Sequence, residues 1–376
     1  MDSILQLMED WGDYRSIGEA PKPENWVQQQ AETMELLTNS KRRPAHLQEF
    51  MLKEALVSGS FPLLFGDVLD RQVLTRYQKT DPVWRLFSRK STLKDFKDAY
   101  RFAITGGTGR LPLVSEKGEY LASKRSTERY ILAVLKYGQQ FDISWEAIIN
   151  DDLNALKDTG ARFADAAIAT EEYTMTNLYA GDVGTHVGNA NLYEVGVNAA
   201  ADALSVPAVQ AGITSMAAVR DENGEPIKNN AVYLVVPPAL QIQARQILTS
   251  STLMWLSDAD DVSPPQGYPT RNVIKDMRLT MVVDEWLPVC DVTSDEEGWY
   301  LFANPSNIAA LEGAHLRGHE TPELCMKASD KVSLTGAPMS PFSGDFLSDD
   351  IMYRVRHVFG GTKLDWRATY MGGYQG

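Results

Sequence analysis

Cysteine is nearly missing from this 376-residue chain: Cys290 and Cys325 are the only two, and they form no CxxC pair. No disulfide framework follows from them, which fits folding under reducing conditions with both thiols as buried packing residues. Long apolar runs are lacking as well. The stretch Tyr233–Leu240 is broken by Pro237 and Pro238 and falls far short of the roughly 20 residues a spanning helix needs, so no membrane span is expected. Positive charge is short: 36 Lys+Arg stand against 50 Asp+Glu, a formal net charge of −14, which argues against a free nucleic-acid-binding protein. The opening residues Met1–Asp10 are acidic where a secretory signal carries Lys or Arg, so export by that route is not expected and synthesis in a cytoplasm follows. Hydrophobic residues at 44% and charged residues at 23% can supply a sizeable core, and this length suggests two or three domains.

Motifs of catalysis are equally scarce. Thr105–Arg110 is glycine-rich, but no Gly-Lys-Ser/Thr follows and the GxGxxG register from Gly107 ends in Pro112, so a hairpin tip is the better reading. His315 and His319 have i,i+4 spacing, yet Gly318 disfavours a helix and Glu320 lies outside the pair rather than inside an HExxH. Asp258, Asp260 and Asp261 lack the glycine and distal glutamate of a calcium loop and read as a solvated acidic loop. No GxSxG elbow occurs, and neither cysteine sits in a nucleophile motif. The chain therefore offers no catalytic residue, no cofactor site and no metal site.

What is present is an unusual order of elements. Residues 1 to about 60 carry short apolar stripes punctuated by Pro21, Pro23 and Pro44, too few to form a core, and read as a docking arm. From Phe96 to Ile104 apolar side chains fall on even positions, the period of a strand with one covered face. A second strand is expected from Arg129 to Phe141, making one long hairpin whose arms reach roughly 30 to 40 Å. A ribbon of that kind is marginal in water unless something covers it. The aromatics Trp84, Phe87, Phe96, Tyr100 and Phe102 are expected to serve core and interface packing. Ile149, Leu153, Leu156, Gly160, Phe163 and Ala167 then follow a helical stripe. If unbroken over 148–180, that helix is about 50 Å long, against a radius of gyration near 21 Å for a compact chain of this length. Residues 201–329 read as a separate α/β unit, with a helix at Val206–Val219, a turn at Glu222–Pro226, a strand at Ala231–Val236, a helix at Ala239–Thr249, and strands at Leu279–Val283 and Gly298–Phe302. Finally Ile351 to Phe359 alternate, Gly360-Gly361 follow, and Leu364, Trp366, Ala368 and Tyr370 alternate again, the pattern of a closing hairpin.

Arg110, Lys117, Lys124, Arg125 and Arg129 cluster on the first hairpin in an otherwise acidic chain. They are either a solvated loop or candidate inter-subunit contacts that meet an acidic surface of a neighbouring copy.

Five segments resemble one family in the order that family shows them: Phe61–Arg71, Tyr137–Leu153, Tyr233–Leu240, Leu316–Leu324 and Tyr353–Leu364. The family is the major capsid protein of tailed double-stranded DNA bacteriophages, whose fold is shared with nanocompartment shells, and the resemblance covers about residues 50 to 370. It implies an α+β fold with an N-terminal arm (1–80), an extended hairpin loop (96–141), a peripheral domain (81–95, 142–200 and 330–376) with a spine helix at about 148–180, and an axial domain (201–329). It implies a structural, non-enzymatic protein that self-assembles into an icosahedral shell around the phage genome. The partners implied are copies of itself in hexamers and pentamers, portal, scaffolding or protease and decoration proteins, and double-stranded DNA held without sequence specificity. The location implied is the virion capsid, assembled in the host cytoplasm. A chain starting at Met1 with no protease region leaves scaffold and protease to separate proteins, if they exist. The nearest alternative is a bacterial nanocompartment shell enclosing a cargo enzyme. An enzyme built on residues 201–329 would need a concave pocket with convergent titratable groups.

Overall fold

The computed structural model describes residues 61–105, 113–114, 116, 126–144, 159–180, 192–221, 224–256, 267–291, 297–327, 329–332, 334 and 344–374. The chain enters on α1 (Phe61–Lys79) and passes through β1 (Arg89–Leu93), β2 (Ala99–Thr105), β3 (Ser126–Leu132) and β4 (Leu135–Ile143) to α2 (Thr159–Tyr179). There follow α3 (Val206–Ala218), β5 (Ala231–Val236), α4 (Gln241–Thr249), β6 (Thr252–Leu256), β7 (Gly267–Arg271), β8 (Thr280–Val283), the short α5 (Leu287–Cys290) and β9 (Trp299–Ala303). The last elements are β10 (Leu311–Leu316), β11 (Glu323–Met326), β12 (Ile351–Lys363) and β13 (Thr369–Gly372).

Contacts divide the chain into two units. One contains Met1–Asp81, Lys136–Ala169 and Gly318–Val358; the other contains Pro82–Leu135, Thr170–Arg317 and Phe359–Gly376. In the first, α1 and the start of α2 pack on a sheet in which β11 and β4 both pair with β12. Its core is Val73, Tyr77, Phe163, Ala164, Ala167, Ile168 and Val355, with Phe141 and Leu324 against them. Phe141 stacks on Tyr353 at 5.1 Å and meets Phe163 at 4.9 Å. The apolar stripe read for the long helix is the buried stripe of α2 from Gly160 onward, and Ile149, Leu153 and Leu156 lie outside the described residues. Helix α1 closes with Arg76 and Lys79 in its last turn, where cations suit the helix dipole, and stops ahead of Pro82. The arm assigned to residues 1–80 thus ends in a helix that contributes Val73 and Tyr77 to this core.

The second unit is built on a four-stranded sheet ordered β13-β9-β5-β8. β9 is buried at every position, as a strand covered on both faces must be, and β5 ends in the fully buried run Leu234-Val235-Val236. α3 starts where expected, with Ser205 Oγ accepting the Ala208 N–H and Pro207 in the first turn. Gly212 lets this helix approach Tyr370 and Leu301, since a Cβ there would lie 2.9 Å from the tyrosine ring. The Asn198 side-chain amide donates to the carbonyls of Leu192, Trp366 and Thr369, tying the 192–198 segment to the start of β13. Asp284 accepts from Thr176 Oγ1 (2.6 Å), Tyr179 Oη (2.5 Å) and the Trp286 N–H (2.9 Å). Burial pushes its carboxyl up from the usual range, and those three donors oppose the shift.

Three expectations are corrected. The strand expected from Arg129 to Phe141 is two strands, β3 and β4, broken at Ala133-Val134, and only β3 pairs with β2. Gly360-Gly361 make no turn: β12 runs straight through them, and β13 joins a different sheet. These glycines permit close approach instead, because a Cβ on Gly360 would lie 2.0 Å from the Ala133 carbonyl oxygen, and one on Gly361 2.7 Å from Met175 Sδ. Cys290 is buried as expected, but Cys325 is exposed, since it falls on the solvent face of β11 opposite Arg354.

Candidate assembly surface

The β2–β3 hairpin is held in one register, Tyr100 facing Ile131 and Phe102 facing Arg129 on one face, Ala99 facing Leu132 and Arg101 facing Tyr130 on the other. The second face packs on the body of its unit: Tyr130 and Leu132 are buried. Arg101 Nε lies 2.8 Å from Glu312 Oε1 on β10, and Glu312 is itself only 1% exposed. The first face is open. Tyr100 is 47% exposed, Phe102 61% and Ile131 41%, with Phe96 and Leu135 also exposed nearby in the chain. The even-position stripe predicted to be covered is therefore the uncovered one in the single subunit, while Trp84 and Phe87 of the same aromatic group lie in the core.

The hairpin is anchored at its root by a buried polar cluster. Glu171, with no exposed surface, accepts from Trp84 Nε1 at 3.1 Å, lies 3.2 Å from His315 Nε2 and 3.6 Å from the Arg85 guanidinium. Trp84 stacks along His315 and covers Gly313, where a Cβ would come within 2.6 Å of the indole. The neighbouring Glu172 accepts the Val83 N–H; burial pushes its carboxyl up and that bond opposes. These contacts fix residues 83–85, from which β1 runs parallel to β10 and leads into β2. His315 is thus a core residue, and His319 sits in the following turn, after Gly318 at φ +81°, bonded to Glu323.

Of the five basic residues predicted as contacts, Arg129 lies on β3 with its guanidinium 4.5 Å above the Tyr100 ring, on the open face. That geometry is a cation–π contact. Arg110, Lys117, Lys124 and Arg125 lie outside the described residues, as do the acidic loop at 257–261 and the Thr105–Arg110 tip beyond Thr105. Arg101 and Glu171 were not singled out in the sequence; a charge among apolar helical positions, Glu171 between Ile168 and Met175, is the one signal that marks the latter. Burial raises the Cys290 thiol to about 11, which leaves it protonated and a poor nucleophile near neutral pH. No described helix is long and apolar enough to cross a membrane.

A family model described as "Phage capsid protein" matches residues 128–372. No curated protein matches the chain. Among solved structures the chain is similar to a capsid of a native GTA particle (11% identity, TM-score 0.48, covering 79% of this chain and 91% of that one). It is also similar to a protein of Gordonia phage Cozz (12%, 0.45, 78% and 86%) and to a virus-like particle from Pyrococcus furiosus (10%, 0.39, 81% and 97%). The family model spans well over half of the chain, including most of β3, all of α2, the four-stranded sheet and β12: this chain belongs to the phage capsid protein family and is a structural shell protein.

Proposed function

We propose that the chain self-assembles into an icosahedral shell enclosing double-stranded DNA, through contacts in which the open face of the β2–β3 hairpin is covered by a neighbouring copy. The observation that carries this reading is that face itself: three large apolar side chains stand exposed on a two-stranded ribbon whose other face is packed and ion-paired. A ribbon apolar on both faces is stable only when both are covered. Arg129 lies on this face, and the sequence between β2 and β3 adds Arg110, Lys117, Lys124 and Arg125, which supports an electrostatic fit to an acidic neighbour. Residues 201–329 act as the axial domain, 81–95, 142–200 and 330–376 as the peripheral domain, 96–141 as the extended loop and residues 1–80 as the arm.

The protein works in the virion capsid and is assembled in the host cytoplasm, with portal, scaffolding or protease and decoration proteins as partners and DNA held without base readout. Catalysis is no part of this role. The nanocompartment alternative is less well supported, because the family model that matches is the phage one. Negative-stain microscopy with subunit mass determination tests the reading: closed shells of one size are expected, and small discrete particles of a well-folded monomer with the hairpin tucked away would overturn it.

A further inference from the structure

A second feature lies in the unit that carries β4, β11 and the start of β12. A groove of about 400 Å³ runs along β4 and β12, lined by Lys136, Gln139, Gln140, Arg354 and Arg356. Its cations are placed by strand alternation. Tyr353 and Val355 point into the core, so Arg354 and Arg356 point out. Gly138 brings the two strands together: a Cβ there would sit 2.8 Å from the Val355 carbonyl oxygen. Arg356 is already bonded to Glu323, whose carboxyl burial pushes up but the bonds from His319 and Arg356 hold below its ordinary value. Lys136 and Arg354 are exposed and make no ion pair among the described residues. By the same alternation Lys136 and Gln140 lie on the face of β4 opposite Phe141, so the groove offers two uncommitted cations beside the Gln140 carboxamide, a donor set suited to an oxyanion and, through the arginine fork, to a carboxylate in particular.

We infer that this groove takes carboxylate side chains from an acidic segment of a second copy of the chain. The inference rests on the shell reading, since only there do copies meet at fixed geometry. Two observations favour a carboxylate over packaged DNA. The chain supplies the complementary partner in excess, with 50 acidic residues against 36 basic ones and runs such as Asp295-Glu296-Glu297. In addition, Glu323 stands opposite Arg356 on the same sheet, so the cations do not form the continuous track that a duplex, with a charge every ~1.7 Å of axis, requires.

Three measurements on the full chain test this. In assembled, DNA-free particles, amine acetylation at Lys136 should slow about tenfold relative to unassembled subunits, the protection that nine-tenths occupancy gives. A zero-length carbodiimide should join Lys136 Nζ to an Asp or Glu carboxyl with loss of water. Mass spectrometry of mixed isotope-labelled particles should find that amide between copies. The double variant K136Q/R354Q, both sites being exposed, should fold as wild type by circular dichroism yet assemble several-fold less well at low salt, the deficit shrinking at high salt. Lys136 equally reactive in shells and subunits, a cross-link confined to one copy, or undiminished assembly of the variant would each overturn the inference while leaving the shell intact. Protection of Lys136 only in DNA-filled particles would overturn it in favour of phosphate. Failure of the wild-type chain to form shells at all would overturn both readings.

Discussion

The replacement of Phe102 by alanine separates assembly from folding. Phe102 stands on the open face of the hairpin with 61% of its surface exposed, so the subunit gains little from it. An aromatic side chain buries roughly 150–250 Å² when covered, and the part left exposed here amounts to ~120 Å². At ~25 cal/mol per Å² its coverage by a neighbour contributes about 3 kcal/mol, of which alanine keeps about a third, leaving a loss of ~2 kcal/mol per contact. That is about a 30-fold weakening of each contact, repeated around the shell. The assay is particle yield against subunit concentration by light scattering and sedimentation, with the melting temperature of dilute unassembled subunit measured alongside. The expected outcome is an assembly threshold raised by more than tenfold and an unchanged subunit melt. If F102A assembles at the wild-type threshold, the open face is not an interface. If the dilute subunit melts earlier instead, Phe102 is a folding residue and the reasoning fails on the other side.

Other perturbations probe the frame that presents this face. Gly360→Ala should destabilise the subunit by about 1–3 kcal/mol or more, because the new methyl group meets backbone of Ala133 and Val134 rather than a movable side chain; calorimetry that finds no loss would refute the close approach. Glu171→Leu removes the acceptor of the Trp84 indole N–H and the carboxylate beside His315 and Arg85, at about 1–3 kcal/mol for each donor left buried. Glu171→Gln should cost about half as much, and equal effects of the two would show that shape alone matters. The Glu323 carboxyl, held below its ordinary value, contributes stability that is present above the unfolded value near 4.3 and lost as pH falls through the lower folded one. Because this pair is more than a third exposed, the effect is at most ~1 kcal/mol. Glu323→Gln should flatten that part of the acid limb in a pH-dependent melt, and an unchanged slope would count against the pair.

The elements legible in sequence are those whose local pattern and tertiary role coincide. Ala231–Val236 is a strand at the residues expected, and α3 begins at Val206 because a serine cap and a proline in the first turn say so without help from the rest of the chain. Strand β1, Arg89–Leu93, has no alternation to read; it exists because β10 offers it a parallel partner from Glu312 to Leu316. Gly360-Gly361 carry the usual residues of a turn, yet their lack of side chains serves packing against Ala133 and Met175, a requirement set by parts of the chain more than a hundred residues away. Cys325 was expected in the core on composition alone, but strand alternation against Arg354 puts it outside. Arg129 was legible as a contact candidate by charge; its place above Tyr100 was not, since that depends on the register of β2 with β3.

That register explains why the apolar period of β2 does not mark a core face. A slip of one residue would exchange the two faces of the ribbon, sending Tyr100 and Phe102 inward and Arg101 outward. The exchange is opposed by Arg101, whose partner Glu312 is buried on β10 and would lose its cation, and by Tyr130 and Leu132, which already fill the inner side. A buried carboxylate stripped of its partner costs several kcal/mol, comparable to what covering Tyr100 or Phe102 within the subunit would return. The polar pair offsets that return, and Tyr130 and Leu132, which would be pushed out of the inner side, tip the balance toward the observed register. On the proposed reading, the hydrophobic stripe that the subunit leaves outside its own core, opposite a buried ion pair, is covered by another copy, and the period-two pattern of β2 then encodes an interface rather than a core face.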